Sequence, residues 1–238
     1  MFAYMKKYLF ALAALSLIFA CTPENNNNGH LGPCPSGAVD LGLSVYWATT
    51  NIGASNPEDY GDYYAWGETD PYYSSQSPLT WKNGKSAGYD RASYKWCNGS
   101  LSTLTKYNTQ SSYGTVDNKT VLDQEDDVAS VKLGGKWRMP TDAEWTELLT
   151  KCTWTWTTQN GVNGRKVTGP NGKSIFLPAA GYRGETYLSD AGSFGVYWSS
   201  SLYTVTPYYA RRVFFNSDDA IREGDYRYGG FSVRPVSE

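Results

Sequence analysis

Histidine is almost missing from this 238-residue chain, and its single copy, His30, lies in a polar stretch ahead of the folded part. A globular part without histidine can build neither a Ser-His-Asp nor a Cys-His nucleophile system, and no histidine-based zinc site. Cysteine is scarce as well. The four copies form no CxxC pair and no zinc-ligand spacing, so neither a metal nor a cofactor is expected. Excess charge is lacking too. Twenty-one basic against 23 acidic residues leave a net charge of −2 and no basic footprint for nucleic acid. The apolar run at residues 8–20 is too short to span a bilayer.

That run does suit the core of an export signal, with Lys6 and Lys7 as its charged start. It ends in Leu17-Ile18-Phe19-Ala20-Cys21, which resembles a bacterial lipoprotein processing box. Residues 1–20 are therefore expected to be a lipoprotein signal peptide, and Cys21 the lipidated residue. The alternative is an ordinary signal peptide with an incidental Cys21. Acyl chains contribute about 0.8 kcal/mol per buried methylene, so several on one cysteine give a durable membrane anchor. Localisation at the outer membrane, facing the cell surface, follows from that expectation. Residues 21–37 are rich in Asn, Gly and Pro, bury too little apolar surface to fold, and are expected to be a disordered tether. With Cys21 lipidated, Cys34, Cys97 and Cys152 remain. They leave room for one disulfide, of which Cys97–Cys152 is one possible pairing, with Cys34 a stray thiol.

Residues 38–238 suit one domain with a sizeable core. Twenty Tyr and nine Trp against sparse Leu, Lys and Glu favour a β- and loop-rich exported domain over a helical bundle. A short strand pair is expected around Gly42, and a short helix near residues 126–131. The strongest local signal is Thr141-Asp142-Ala143-Glu144 after Pro140. Thr141 can accept from the Glu144 N–H while Glu144 reaches back to the Thr141 N–H, a capping box that opens a helix running to about Cys152. Strands are expected at 153–158, with Trp154 and Trp156 on one face, and at 162–168 and 174–177 around the turn Gly169-Pro170-Asn171-Gly172. A turn at 178–183 leads into a loop, and three last strands are expected at 196–200, 210–215 and 231–236.

Several ordered blocks carry a resemblance over residues 39–236. They are Val39-Asp40-Leu41-Gly42-Leu43, Asp62-Tyr63-Tyr64-Ala65-Trp66-Gly67-Glu68, the segment from Trp137 to Trp145, Phe176-Leu177-Pro178-Ala179-Ala180-Gly181-Tyr182-Arg183, Tyr197-Trp198-Ser199-Ser200-Ser201 and Ser232-Val233-Arg234-Pro235-Val236. The chain resembles the Fibrobacter succinogenes major paralogous domain, a family with a C-type-lectin-like fold of the formylglycine-generating-enzyme type. The resemblance implies an α+β fold of small twisted antiparallel sheets, one or two short helices and long ordered loops, in exported or lipid-anchored surface proteins. It implies no single activity. Formylglycine-generating enzymes use a cysteine pair that this C-terminal third lacks, so their catalytic role does not carry over. The C-terminal segment also resembles the variable region of retroelement-diversified surface proteins. Its framework would be Trp198, Ala210, Phe214, Phe231, Val233 and Arg234, and its display positions residues 202–209, 216–221 and 225–228.

Two further chemistries have candidate residues in the chain. Glu58, Asp59, Asp62, Glu68 and Asp70 could serve a two-carboxylate hydrolase, but a solvated acidic loop explains them better. Asp123-Gln124-Glu125-Asp126-Asp127 offers hard oxygens for Ca²⁺ but lacks the glycine-turned spacing of a calcium loop, and an acidic helix cap explains it equally well. No catalytic or metal residue is therefore expected, and the chain is not read as an enzyme. The expected ligand-binding residues are Tyr203, Thr204, Tyr208, Tyr209, Arg211, Asn216, Asp218, Asp219, Arg222, Tyr226 and Tyr228. Tyr offers a large rigid contact face at low entropy cost, and short polar neighbours adapt to a partner. The expected function is a surface adhesin or recognition module for a protein or glycan, with a structural or tip subunit of a surface appendage as the first alternative and a two-carboxylate hydrolase as the second. Trp198 is expected in the core, and Arg234 in a buried or half-buried structural ion pair, for which Glu144 is one candidate partner.

Overall fold

A computed structural model describes residues 31–71 and 88–238. The signal peptide, Cys21 and most of the tether lie outside the described residues, as does part of the long polar loop. The described part is α+β and mostly β. Strands β1 (Ala38–Val39) and β2 (Tyr46–Ala48) pair around Gly42, as expected, and β2 also pairs with the last strand, β11 (Val236–Ser237). Start and end of the domain thus share one small sheet. A 3₁₀ turn at Gln124–Asp126 precedes helix α1 (Val128–Leu133), which Asp127 caps through the Ser130 N–H at 3.0 Å.

Helix α2 (Asp142–Lys151) starts as the sequence predicts. The Glu144 N–H donates to Thr141 Oγ1 at 3.3 Å and the Thr141 N–H to Glu144 at 2.7 Å. Its buried face is Trp145 and Leu148, one turn apart, which enter a core with Trp47, Val167, Leu177, Tyr197, Val213 and Phe215. A meander of β3 (Thr153–Gln159), β4 (Val162–Thr168) and β5 (Ser174–Pro178) closes that core from one side. The β3–β4 connection is only Asn160-Gly161, both with positive φ (47° and 83°), which matches the right-handed strand twist.

Strands β6 (Tyr182–Gly184) and β7 (Tyr187–Ser189) make a small hairpin where a loop was expected. The third three-stranded sheet is β8 (Gly195–Leu202), β9 (Tyr209–Phe215) and β10 (Ala220–Tyr226), in the order β10-β9-β8. Between Trp198 and Leu202 the β8 register slips. The slipped serines turn their groups to other partners: Ser199 Oγ donates to the Arg211 carbonyl, the Ser200 N–H to that of Pro140, and Ser201 Oγ accepts from the Asp142 N–H.

Four expectations are corrected. Residues 220–226, divided between display loops in the sequence reading, form β10. Residues 231–236 are not one strand, because their backbone partners are spread over Tyr64, Val196, Trp198 and Arg138. Arg234 makes no pair with Glu144. It is fully buried and donates to Asn51 Oδ1, the Ala48 carbonyl and the Phe176 carbonyl at 2.9–3.0 Å, and burial lowers its pKa to about 10. Glu144 pairs with Arg138 instead, at 2.6 Å. Cys97 and Cys152 are both free thiols, so the Cys97–Cys152 bridge is absent, whereas Cys34 is disulfide-bonded and not a stray thiol. Trp198 is buried in a second core with Trp66, Phe231 and Val233, and donates Nε1–H to the Tyr64 carbonyl at 2.8 Å.

Candidate functional site

The β9–β10 hairpin divides the eleven expected ligand-binding residues into two groups. Its register places Tyr226 opposite Tyr209, Gly224 opposite Arg211, Arg222 opposite Val213 and Ala220 opposite Phe215, so these eight share one face. Tyr209 and Tyr226 stand at the open end. Asn216, Asp218 and Asp219 form the turn at the other end, seven residues and about 23 Å away by strand rise. There Asn216 Oδ1 accepts the Asp218 and Asp219 N–H groups at 2.8 Å, while Arg165 holds the Asn216 and Asp219 carbonyls. Those three residues build a turn and cannot share a compact site with the tyrosines.

The open end gathers aromatic rings. Tyr208 stacks on Tyr226 (centroids 5.9 Å, planes 19° apart), and Tyr226 stacks on Tyr228 (5.0 Å, 21°). Tyr209 stands edge-on to both Tyr208 (4.8 Å) and Tyr226 (4.7 Å). Tyr113, from the long loop, meets Tyr208 edge-on at 5.1 Å. Tyr203 packs its ring where a Gly224 Cβ would stand, and the Arg211 guanidinium covers it at 4.2 Å. All five expected tyrosines are half-buried, with Tyr208 and Tyr228 leaning on a third, tyrosine-rich core. Thr204 is exposed, and Gln110 holds the loop by donating to the Thr204 and Val205 carbonyls at 3.2 and 3.0 Å.

Arg227 fixes this arrangement from below. It lies between Tyr226 and Tyr228 in sequence, points inward, and is 1% exposed. Its Nε donates to the Tyr94 hydroxyl, Nη1 to the Tyr107 and Pro207 carbonyls and Nη2 to the Lys106 carbonyl, at 2.9–3.2 Å. It thereby ties β10 to the loops carrying Tyr208 and Tyr113. Tyr113, Gly224 and Arg227 were not among the expected site residues. Arg227 and Tyr228 lie in the turn after β10, so no strand alternation in the sequence marked Arg227 as the inward residue.

Electrostatically the patch is self-contained. Asp142 takes Arg222 at 2.6 Å and Arg211 at 3.7 Å, while Arg212 pairs with Glu223 at 3.2 Å and Asp225 at 2.8 Å. The adjacent Tyr226 hydroxyl, then burial, raises the Tyr209 pKa, and burial raises that of Tyr228, so both stay neutral phenols at physiological pH. The hydroxyls of Tyr203, Tyr208 and Tyr228 have no hydrogen-bond partner among the described residues and are not buried atoms.

The other chemistries find little support in the geometry. Asp123, Glu125 and Asp126 converge within 4.8 Å, but the Lys106 ammonium already sits among them at 2.7, 3.5 and 2.6 Å. Lys119 also holds Asp123, and Lys95 holds Asp126. The five acidic residues weighed for hydrolysis are not one solvated loop. Glu58 binds Gln159 and Asn160, Asp59 caps its own turn, Asp62 accepts from Tyr64, Glu68 is buried and accepts the Lys95 N–H, and Asp70 pairs with Lys132. Two cavities, of about 360 and 450 Å³, lie on either side of Trp137, and no residue of the tyrosine patch lines them. Among the described residues no helix is long and apolar enough to cross a membrane. Compared with protein-family models, curated proteins and solved structures, the chain matches nothing in any of the three.

Proposed function

We propose that this chain is a lipid-anchored surface protein of C-type-lectin-like fold, akin to the Fibrobacter succinogenes major paralogous domain family. It binds a protein or glycan through the tyrosine patch at the open end of the β9–β10 hairpin and does no chemistry of its own. The supporting observation is the convergence of Tyr203, Tyr208, Tyr209, Tyr226 and Tyr228 into one half-buried cluster with three unpartnered hydroxyls. Rigid aromatic groups whose positions are fixed before binding lose little entropy when a partner arrives. Arg227 below and Gln110 beside the patch supply that fixing. Membrane attachment would be through Cys21 alone, in a form of the protein distinct from any in which Cys21 supplies the second sulfur of the Cys34 disulfide, since Cys97 and Cys152 are free thiols. Docking of a strand on the hairpin edge, as an appendage subunit would require, is less favoured because Arg222 and Glu223 put exposed charges on β10.

The test sets wild type against the Tyr208→Ala/Tyr226→Ala double variant on glycan and extracellular-protein arrays. Hits that lose signal in the variant support the site. Equal signals from both proteins on every hit would remove it.

A further inference from the structure

Building on that reading, we infer that the tyrosine patch recognises a folded protein surface through its phenol edges and hydroxyls, and not a glycan through its ring faces. Aromatic side chains hold sugars chiefly by laying an open ring face against the C–H face of a pyranose, and here the central ring, Tyr226, is stacked on both Tyr208 and Tyr228. Tyr226 lies between Tyr208 and Tyr228, at 5.9 and 5.0 Å with planes within about 20°, which is offset stacking on both of its sides. Tyr203 lies against Gly224, where a Cβ would meet its ring at 2.7 Å, and the Arg211 guanidinium sits 4.2 Å from its ring centroid. Tyr208 also takes Tyr113 and Tyr209 edge-on at 5.1 and 4.8 Å.

The patch also keeps hydroxyls open to a partner. The free hydroxyls of Tyr203, Tyr208 and Tyr228 seek acceptors, which a protein surface supplies densely as backbone and side-chain carbonyls. Charge agrees. Arg211, Arg212 and Arg222 are all paired with Asp142, Glu223 or Asp225, so the partner need not be ionic and binding should depend weakly on salt.

The decisive variant is Tyr208→Phe/Tyr228→Phe, which keeps every ring and removes two free hydroxyls. The probes are an array of purified extracellular proteins, each also spotted after enzymatic deglycosylation, and a glycan array. Expected are protein hits that survive deglycosylation and whose affinity falls about tenfold or more in the Phe variant, near the effect of two lost hydrogen bonds. Hits confined to glycans, protein hits abolished by deglycosylation, or affinity unchanged in the Phe variant would each overturn the edge-on protein mode. Glycan hits lost in Tyr208→Ala/Tyr226→Ala would at the same time keep the patch as the binding site. Silence on both arrays would remove the patch and this mode together.

Discussion

Replacing Arg227 with Met should cost the domain more than its place near a surface hairpin suggests. The unbranched Met side chain refills most of the volume between the Trp66 and Tyr94 rings, which lie 4.9 and 5.4 Å from the guanidinium carbon. It offers no donor. Three buried carbonyls, of Lys106, Tyr107 and Pro207, and the Tyr94 hydroxyl then lose the N–H groups that satisfied them. An orphaned buried polar group costs about 1–3 kcal/mol, and the low end applies to carbonyls that a water can reach, giving about 3 kcal/mol for the three. Relief from burying a cation offsets part of this, so a net loss of about 2–3 kcal/mol is expected. For a domain of this size that is a fall in Tm of about 4–12 °C. Urea unfolding followed by far-UV circular dichroism measures it directly. Arg227→Lys should recover only part of the loss, since one ammonium cannot reach carbonyls that lie around a planar fork. A Met variant within about 0.5 kcal/mol of wild type would refute the role of Arg227 as the clamp beneath the patch.

Gly224→Ala tests the patch itself. The new Cβ would stand 2.7 Å from the Tyr203 ring, which sits at the surface and can swing away. Stability should therefore change by less than about 1 kcal/mol while array signals fall, whereas Gly195→Ala, whose Cβ would meet the buried Phe215 ring at 2.0 Å, should cost at least about 3 kcal/mol. Acid should destabilise the domain. Burial pulls the Glu144 pKa up, but Arg138 and the Thr141 N–H outweigh it and leave it lowered, and Asp117, Asp123, Asp126 and Glu147 are lowered too. Groups with depressed folded pKa values add stability above their unfolded pKa, near 4, and lose it as pH falls through the folded value. Urea midpoints measured from pH 6 to pH 3 should thus drop below about pH 4.5, and less steeply in Glu144→Gln. Cys152, whose pKa burial pushes up to about 11, should react with iodoacetamide at pH 8 far more slowly than a free thiol. For the anchor, mass spectrometry of the membrane-extracted protein should find Cys21 as a diacylglyceryl thioether. Its recovery in a disulfide, a bond that a thioether sulfur cannot form, would refute lipidation.

What the sequence disclosed and what it hid follow one division, between signals that act within a few residues and partners that only the fold brings near. Thr141 and Glu144 are three residues apart, so the start of α2 was readable; Gly169-Pro170-Asn171-Gly172 announced its hairpin in the same way. Asn160-Gly161 was an equally local turn signal, and it fixes the whole β3–β4 register. β10 escaped because an edge strand buries little: Arg222-Glu223-Gly224-Asp225 shows no apolar alternation, and its strand character comes from β9 beside it. Arg234 escaped for the opposite reason. A buried guanidinium was expected to find a carboxylate, yet carbonyls at Ala48 and Phe176, 186 and 58 residues away, satisfy it. The site shows both sides at once. Tyrosines clustered in the sequence from 203 to 228 were visible, but which of them meet is set by the Tyr209–Tyr226 register, and that register sends Asn216, Asp218 and Asp219 to the far end. A site laid along a hairpin is therefore half legible. Its residue types can be read from the chain, while the choice between a shared patch and two separate ends belongs to strand pairing.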